Sequence, residues 1–205
     1  MQKIIILMGD SGSGKDFVLE CIKDYEGIEI IKRSTNRSQR QNEDTSLSSI
    51  FDVPVEDIKK MAFHYEGVTP GNYYGVNSQD VTEALLSGRS PIFIFCDYVN
   101  FLIISNTYAC FGVEVVPIFI YRDINDVDWE QSLLDRGSNQ SEVDDRKSKR
   151  TVYLGKLYSE HIASSVGENV ILNVDGLTTR DDIRKQFEAI CKKNSIDISS
   201  GAKLP

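Results

Sequence analysis

The chain has 205 residues, which is long enough to bury the core of one domain with a small additional lobe. Its formal net charge of −8 argues against a general nucleic-acid or membrane-surface binder, because either would need a broad cationic face. Any anionic ligand must therefore be bound by a local group of cations.

The cysteines are widely spaced, at Cys21, Cys96, Cys110 and Cys191, and the chain has only two histidines. This spacing predicts neither a zinc site nor a disulfide framework. The apolar run near the start is too short for a signal peptide or a membrane span. We predict a cytoplasmic protein that acts on small molecules, as a monomer or homodimer, with no nucleic-acid or membrane partner.

The first predicted element is a strand at 3–8, KIIILM, whose continuous apolar run is typical of a strand buried on both faces of a parallel sheet. The sequence GDSGSGKD follows at 9–16. A helix is predicted from Lys15 to about Tyr25. The chain thus begins with a strand, a glycine-rich loop and a helix.

Four further buried strands are predicted along the chain, and helices separate them. The strands lie at 28–32, 91–96, 113–121 and 169–174, and the helices lie at 78–87, 98–111, 125–135, 143–165 and 179–193. This alternation predicts an α/β protein with a five-stranded parallel sheet and helices on both faces.

Residues 35–76 interrupt the alternation. A polar loop there precedes short segments that predict antiparallel strands around one helix, which starts at Pro54. We interpret 35–76 as a small inserted lobe, and we assign 1–34 and 77–193 to the core.

Residues 136–151, RGSNQSEVDDRKSKRT, are polar throughout and have no apolar stripe that could pack against a core. We interpret them as a mobile helical lid, with an ordinary solvated helix as the alternative. Residues 194–205 are expected to form a flexible tail.

The loop at 9–16 matches G-x-x-x-x-G-K, and it has the strand before it and the helix after it that this motif requires. Glycines let successive backbone N–H groups surround an anion, the helix dipole adds positive potential, and the lysine reaches the β- and γ-phosphates. We predict that ATP binds through Gly9, Asp10, Ser11, Gly12, Ser13, Gly14, Lys15 and Asp16.

Asp16 stands where such loops usually carry a serine or threonine that holds Mg²⁺. A carboxylate can ligate Mg²⁺ directly, but it also adds negative charge beside the phosphates. Asp16 is therefore a candidate magnesium ligand, and ATP with Mg²⁺ are the expected cofactors.

Beyond the loop, several segments of the chain resemble the guanylate kinase family. They are RSTNR at 33–37, GNYYG at 71–75, ALLSGR at 84–89 and DRG…SEVDDRK within 135–147. The resemblance covers about residues 3 to 191. It implies a three-layer P-loop NTPase fold and an enzyme that transfers the γ-phosphate of ATP to GMP. In such an enzyme an inserted lobe binds the acceptor, and a lid brings arginines to the transferred group.

The resemblance also implies ligands for the acceptor phosphate. Arg37 and Arg40 match the two arginines that hold the GMP phosphate, and Tyr74 matches a tyrosine that hydrogen-bonds it. Ser34, in the same RSTNR segment, is a further candidate for acceptor binding. The alternative is that Arg37 and Arg40 belong, together with residues 32–33, to an ordinary basic loop exposed to solvent.

In the lid, Arg136 matches a family arginine, and Lys147 occupies the place of another, with Arg146 beside it as a substitute. The third arginine of the family is replaced here by Ser132. The resemblance thus makes Lys15, Arg136 and Lys147 the candidate catalytic residues. Phosphoryl transfer depends on positive charge that is held in position at the transferred group.

Several departures from the family fall on the acceptor side. Ser49 replaces a second phosphate-holding tyrosine, and Val76 replaces a guanine-contacting serine or threonine. The family glutamate that contacts guanine aligns with Tyr65. The next residue, Glu66, is a carboxylate, and we retain Glu66 as a candidate for acceptor binding. The residues that bind the acceptor phosphate thus match the family better than the residues that contact its base.

An aspartate of the family aligns with Cys96 in this chain. Asp97 would align with it only if the alignment were shifted by one residue. Asp97 is a candidate for orienting the acceptor or, through a water, for holding the metal. A strand-end residue without a role is the alternative.

Two other functions stay open. The GKD and YYGV segments are similar to those of ribose 1,5-bisphosphate phosphokinases, which would make the acceptor a phosphorylated sugar. The other alternative is a catalytically idle guanylate-kinase-like binding module, although such modules usually lack an intact phosphate loop.

Overall fold

Two β-sheets organise the part of the chain that the computed structural model describes, residues 2–40, 47–122, 124–153, 171–174 and 176–199. The strands are β1 (Ile4–Met8), β2 (Ile28–Ile30), β3 (Arg33–Thr35), β4 (Ser49–Ile50), β5 (Phe63–Glu66), β6 (Tyr73–Val76), β7 (Ser90–Ile94), β8 (Val115–Tyr121) and β9 (Ile171–Asn173). The helices are α1 (Lys15–Ile22), α2 (Val55–Lys59), α3 (Ser78–Leu86), α4 (Tyr98–Ala109), α5 (Asp126–Leu134), α6 (Gln140–Tyr153) and α7 (Arg180–Lys193).

The central sheet has the strand order β2-β7-β1-β8-β9, and every pair in it is parallel. Its middle strand, β1, is buried over its whole length, which explains the uninterrupted apolar sequence. The α/β architecture with a parallel sheet, predicted from the alternation of strands and helices, is confirmed.

The side chains of β1 alternate between two apolar clusters, one on each face of the sheet. Ile5 and Leu7 pack with α1 and α7, whereas Ile4, Ile6 and Met8 pack with α3 and α4. Strand residues point alternately to opposite faces, so one apolar strand supplies both cores. The result is a three-layer arrangement of helices, sheet and helices.

The second sheet has the order β4-β3-β6-β5 and comes from the segment predicted as the inserted lobe. Its β3–β6 and β5–β6 pairs are antiparallel as expected, whereas β3 and β4 are parallel. The predicted helix follows Pro54 as α2. Phe63 and Val76 are buried in the same cluster as Ile4 and Phe93, so this sheet packs directly on the core.

The lid segment 136–151 is anchored by one apolar side chain. Val143, on α6, is fully buried against Trp129 and Leu133 of α5. The expectation of no apolar contact is therefore wrong, because a single valine at the right position suffices. The predicted helix at 143–165 begins earlier, at Gln140, and residues 154–170 lie outside the described part.

The segment after α7 packs on the core, contrary to the expected flexible tail. Ile196 is buried, and the Ile198 carbonyl accepts a hydrogen bond of 3.2 Å from the Gly27 N–H. Residues 200–205 lie outside the described part. None of the helices described is both long enough and apolar enough to cross a bilayer.

Candidate nucleotide and acceptor site

The phosphate loop, residues 9–16, joins β1 to α1 at the carboxyl ends of the parallel strands, where ligands bind in open α/β sheets. Gly9, Gly12 and Gly14 have φ values of 142°, 86° and 93°, which L side chains rarely adopt. A Cβ at Gly9 would also lie 2.5 Å from the Ile120 carbonyl oxygen. The predicted order of strand, loop and helix is confirmed.

Lys15 folds over the loop that precedes it. Its Nζ donates hydrogen bonds to the Gly9 carbonyl at 2.8 Å, to the Asp10 carbonyl and to Ser13 Oγ at 3.2 Å. Burial lowers the pKa of Lys15, and Asp16, in the first turn of α1, acts in the opposite direction. The ammonium is thus placed at the loop on neutral oxygens, ready to interact with an anion.

Three side chains that follow β8 hold the other side of the loop. Trp129 Nε1 donates to the Ser11 carbonyl at 2.9 Å, and Arg122 Nη1 donates to the Gly12 carbonyl at 3.2 Å. Arg136 Nη2 lies 3.3 Å from where a Cβ of Gly12 would be. The structure therefore places the predicted catalytic Arg136 against the phosphate loop.

Two adjacent basic residues of α6, Arg146 and Lys147, point in different directions. Arg146 is only 8% exposed, and its Nη1 donates to Ser138 Oγ at 3.1 Å. Burial, followed by the nearby Arg40, lowers the pKa of Arg146 to about 10. Lys147 is exposed and forms an ion pair with Glu130. The lid therefore turns Arg146 inward and Lys147 outward.

The two arginines predicted to hold the acceptor phosphate have different surroundings. Arg40 faces the lid, where it lies 3.7 Å from Glu142 on α6. The Arg37 guanidinium lies 4.8 Å from the ring centroid of Phe51, and its Nη1 donates to the Ser38 carbonyl at 3.0 Å. Arg40 thus joins the lid arginines, whereas Arg37 stacks within the lobe.

An aromatic stack lines the lobe side of the cleft. The ring of Tyr74 is stacked on Tyr65 at a centroid distance of 5.3 Å, and the Arg33 guanidinium lies 4.7 Å from the same ring. Tyr65 also packs edge-on against Phe95 at 4.7 Å, and Arg33 Nε donates to Ser49 Oγ at 3.1 Å. This stack orients both Tyr74 and Arg33.

Tyr65 links the lobe to the phosphate loop through Cys96. The Tyr65 hydroxyl accepts a hydrogen bond of 3.3 Å from the Cys96 N–H, and Cys96 Sγ donates to the Gly9 carbonyl at 3.4 Å. Burial raises the pKa of Tyr65, so its hydroxyl stays neutral. Two positions at which the chain departs from the family motifs, Tyr65 and Cys96, therefore bond to each other.

The remaining acceptor candidates are engaged within the chain. Glu66 is exposed, and its Oε1 accepts from the Gly71 N–H at 2.7 Å. Asp97 caps α4, with Oδ1 accepting from the N–H and the Nδ2 of Asn100 at 2.7 and 2.9 Å. Ser34 is buried in the middle of the second sheet.

Among the residues described, no group of three or more histidine, cysteine or acidic side chains is arranged to hold a metal ion. A magnesium ion at this site would therefore depend on phosphate oxygens as well as on protein oxygens.

Comparison with known proteins defines the fold. No protein-family model matches the chain, and no curated protein matches its sequence. A solved guanylate kinase from Anaplasma phagocytophilum is similar, with 15% identity and a TM-score of 0.57 over 96% of this chain and 87% of that one. The chain has a guanylate-kinase-like P-loop fold. A gluconokinase from Sinorhizobium meliloti also matches, with 15% identity over 94% of both chains, but its TM-score of 0.44 supports no conclusion.

Within this guanylate-kinase-like fold, the sequence analysis missed Arg33. Arg33 was given no role in the site and appeared only in the alternative of a solvated basic loop, yet β3 holds it between Tyr74 and Ser49. Burial is the main cause of the lowered pKa of Lys15, and Arg33 lowers it further, so the two cations lie near each other. Arg33 begins β3 only three residues after the end of β2, so the chain passes from the central sheet directly into the second sheet at this point.

Proposed function

We propose that this protein is an ATP-dependent phosphotransferase of guanylate kinase type, which transfers the γ-phosphate of ATP to GMP or a related nucleoside monophosphate and releases ADP and GDP. The observation that carries this proposal is the arrangement of cations around the phosphate loop. Lys15 folds over the loop and Arg136 lies against it, while Arg146 of α6 lies near both Arg136 and Arg40 of the lobe.

Each cation has a part in this reaction. Lys15 contacts the β- and γ-phosphates, and Arg136 and Arg146 stabilise the charge on the transferred group. Arg146 takes the part expected of Lys147, because the amine of Lys147 is paired with Glu130. Like charges that converge in a cleft repel one another until an anion binds between them, which favours a phosphate-bearing ligand.

The acceptor phosphate lies, in this proposal, between the lobe and the lid. Arg40 and Tyr74 bind its oxygens, as expected from the family motifs, and Arg33 adds a guanidinium beside Tyr74. Within the described part of the chain, no carboxylate forms an ion pair with Arg33. Its fork of donors is therefore available for a phosphate. Arg37, stacked on Phe51, contributes through the shape of the lobe.

Magnesium fits the site through Asp16. Mg²⁺ prefers hard oxygen ligands, and the exposed Asp16 carboxylate is adjacent to Lys15 at the start of α1, whereas Asp97 is engaged as a helix cap. Bound with ATP, the ion would offset the negative charge of the phosphates. We expect Asp16→Ser to keep ATP binding but to shift the magnesium dependence of turnover. An unchanged magnesium titration would show that Asp16 is not near the ion.

A second candidate is a phosphorylated sugar acceptor such as ribose 1,5-bisphosphate. It is favoured by the hydrogen bond of the Tyr65 hydroxyl with the Cys96 N–H, because Tyr65 stands where the family has its guanine-reading glutamate. Val76, which aligns with another guanine-contacting residue, is fully buried in the apolar core. A site whose polar groups are already satisfied has little to offer a guanine edge.

An acceptor panel tests both candidates. ADP release from ATP and Mg²⁺ would be measured with GMP, the other nucleoside monophosphates and ribose 1,5-bisphosphate, with Lys15→Met as the control for background hydrolysis. Turnover with GMP supports the first candidate, and turnover with the sugar bisphosphate alone supports the second. If calorimetry shows no ATP binding in the presence of Mg²⁺, the protein is an idle binding module.

A further inference from the structure

Trp129 is the single tryptophan of the chain. Its indole contacts the phosphate loop on the side that Arg122 and Arg136 also approach. Its Nε1 donates to the Ser11 carbonyl at 2.9 Å, and the same nitrogen lies 3.5 Å from where a Cβ of Gly12 would be. Trp129 is only 3% exposed. The donor is therefore fixed in place by packing around the ring.

This hydrogen bond sets the direction of one peptide unit of the loop. The peptide between Ser11 and Gly12 is trans, so its carbonyl and its N–H point in opposite directions. With the Ser11 carbonyl held toward Trp129, the Gly12 N–H must point away from the indole. None of the residues described accepts a hydrogen bond from that N–H. It is thus a donor available to an anion in the loop.

The same indole connects the loop to the lid. Trp129 packs with Leu133 of α5 and with Val143 of α6, both of them fully buried. Closely packed side chains transmit displacement because they leave no space to absorb it. The indole ring thus connects α6 to the Ser11 carbonyl through continuous packing and one hydrogen bond.

We propose that Trp129 is a positioning residue for nucleotide binding: it directs the Gly12 N–H toward the phosphates of a nucleoside polyphosphate and couples that direction to the lid. This inference rests on the proposed function, since it requires a nucleotide in the loop. Trp129 acts through Ser11 and Gly12 and does not itself touch the nucleotide.

The first test is Trp129→Phe, which keeps an aromatic ring in the cluster but removes the Nε1 donor. We expect the Kd for ADP, measured by calorimetry with Mg²⁺, to rise about fivefold to tenfold, the size of one lost hydrogen bond. The matched control is Ile190→Ala, at a buried position of α7 outside the Trp129 cluster, which lowers the melting temperature through lost packing but keeps the donor, so its Kd should stay within about twofold. Equal Kd values for Trp129→Phe and the wild type, or equal losses in both variants, would overturn the inference.

The second test uses the wild-type protein, so it does not depend on the folding of a variant. A chain with one tryptophan gives a single indole N–H signal in a ¹H–¹⁵N spectrum. We expect this signal to shift during an ADP titration and to saturate at the calorimetric Kd. If calorimetry shows that ADP binds but the indole signal does not shift, the inference about Trp129 is overturned and the proposed function stands. Absence of any calorimetric heat would overturn the proposed function and this inference with it.

Discussion

The two sides of the cleft are built in different ways. The proposed donor side is a backbone loop whose form depends on three glycines with positive φ and on one lysine that folds over them. The proposed acceptor side consists of side chains from β3, β5 and β6 that stack and hydrogen-bond with one another. A site made by backbone can be recognised from a short motif, whereas a site made by side chains depends on which neighbours occupy the space.

The largest effect is expected on the donor side, from Lys15→Met. Loss of the ammonium removes a charge that interacts with the phosphates in the transition state, so kcat/KM should fall by about 100-fold or more. ADP release with the best acceptor of the panel measures this. Lys23→Met, which alters an exposed lysine paired with Glu20 on the same helix, should leave the rate unchanged. A Lys15→Met enzyme with more than about a tenth of wild-type activity would refute this role.

Arg146 and Lys147 are adjacent but should differ strongly. Because Arg146 points into the cleft, we expect Arg146→Met to lower kcat by about 10- to 100-fold, whereas Lys147→Met, at an exposed ion pair, should change it less than about twofold. Steady-state kinetics at saturating ATP give both values. The reverse order would support the assignment made from sequence alignment.

Arg33 tests whether the acceptor side contains a functional cation that the motifs do not include. Loss of a charged donor to a phosphate should raise the KM for the acceptor about tenfold in Arg33→Met and leave the Kd for ADP unchanged. Arg33→Lys should recover part of the loss. Lys32→Met, at an exposed neighbouring position, is the control. An unaltered acceptor KM would make Arg33 a purely structural partner of Tyr74.

The smallest effect is expected from Tyr65→Phe. Removing the hydroxyl leaves the Cys96 N–H without its partner, so the free energy of unfolding in urea should fall by about 0.5–1.5 kcal/mol. Tyr73→Phe is the control, because Tyr73 contributes its ring to a contact with Lys59. If Tyr65→Phe is as stable as the wild type, the link between lobe and loop contributes nothing measurable.

The order of elements, the parallel sheet and the phosphate loop could be predicted because each depends on local patterns. The choice between Arg146 and Lys147 could not. They lie three and four residues after Val143, so both are neighbours of Val143 on one face of α6, and the sequence does not say which of them turns toward the phosphate loop. Burial of Ile196 was equally inaccessible, because its contacts come from distant parts of the chain.

The hydrogen bond between Tyr65 and Cys96 also constrains how this protein could change over time. Restoring a carboxylate at position 65 alone would remove the acceptor of the half-buried Cys96 N–H and place a charge beside Phe95 and Tyr74. Such a step costs about 0.5–1.5 kcal/mol for the unpaired donor alone, as in Tyr65→Phe. A change of acceptor specificity along this route would therefore need substitutions at both positions 65 and 96.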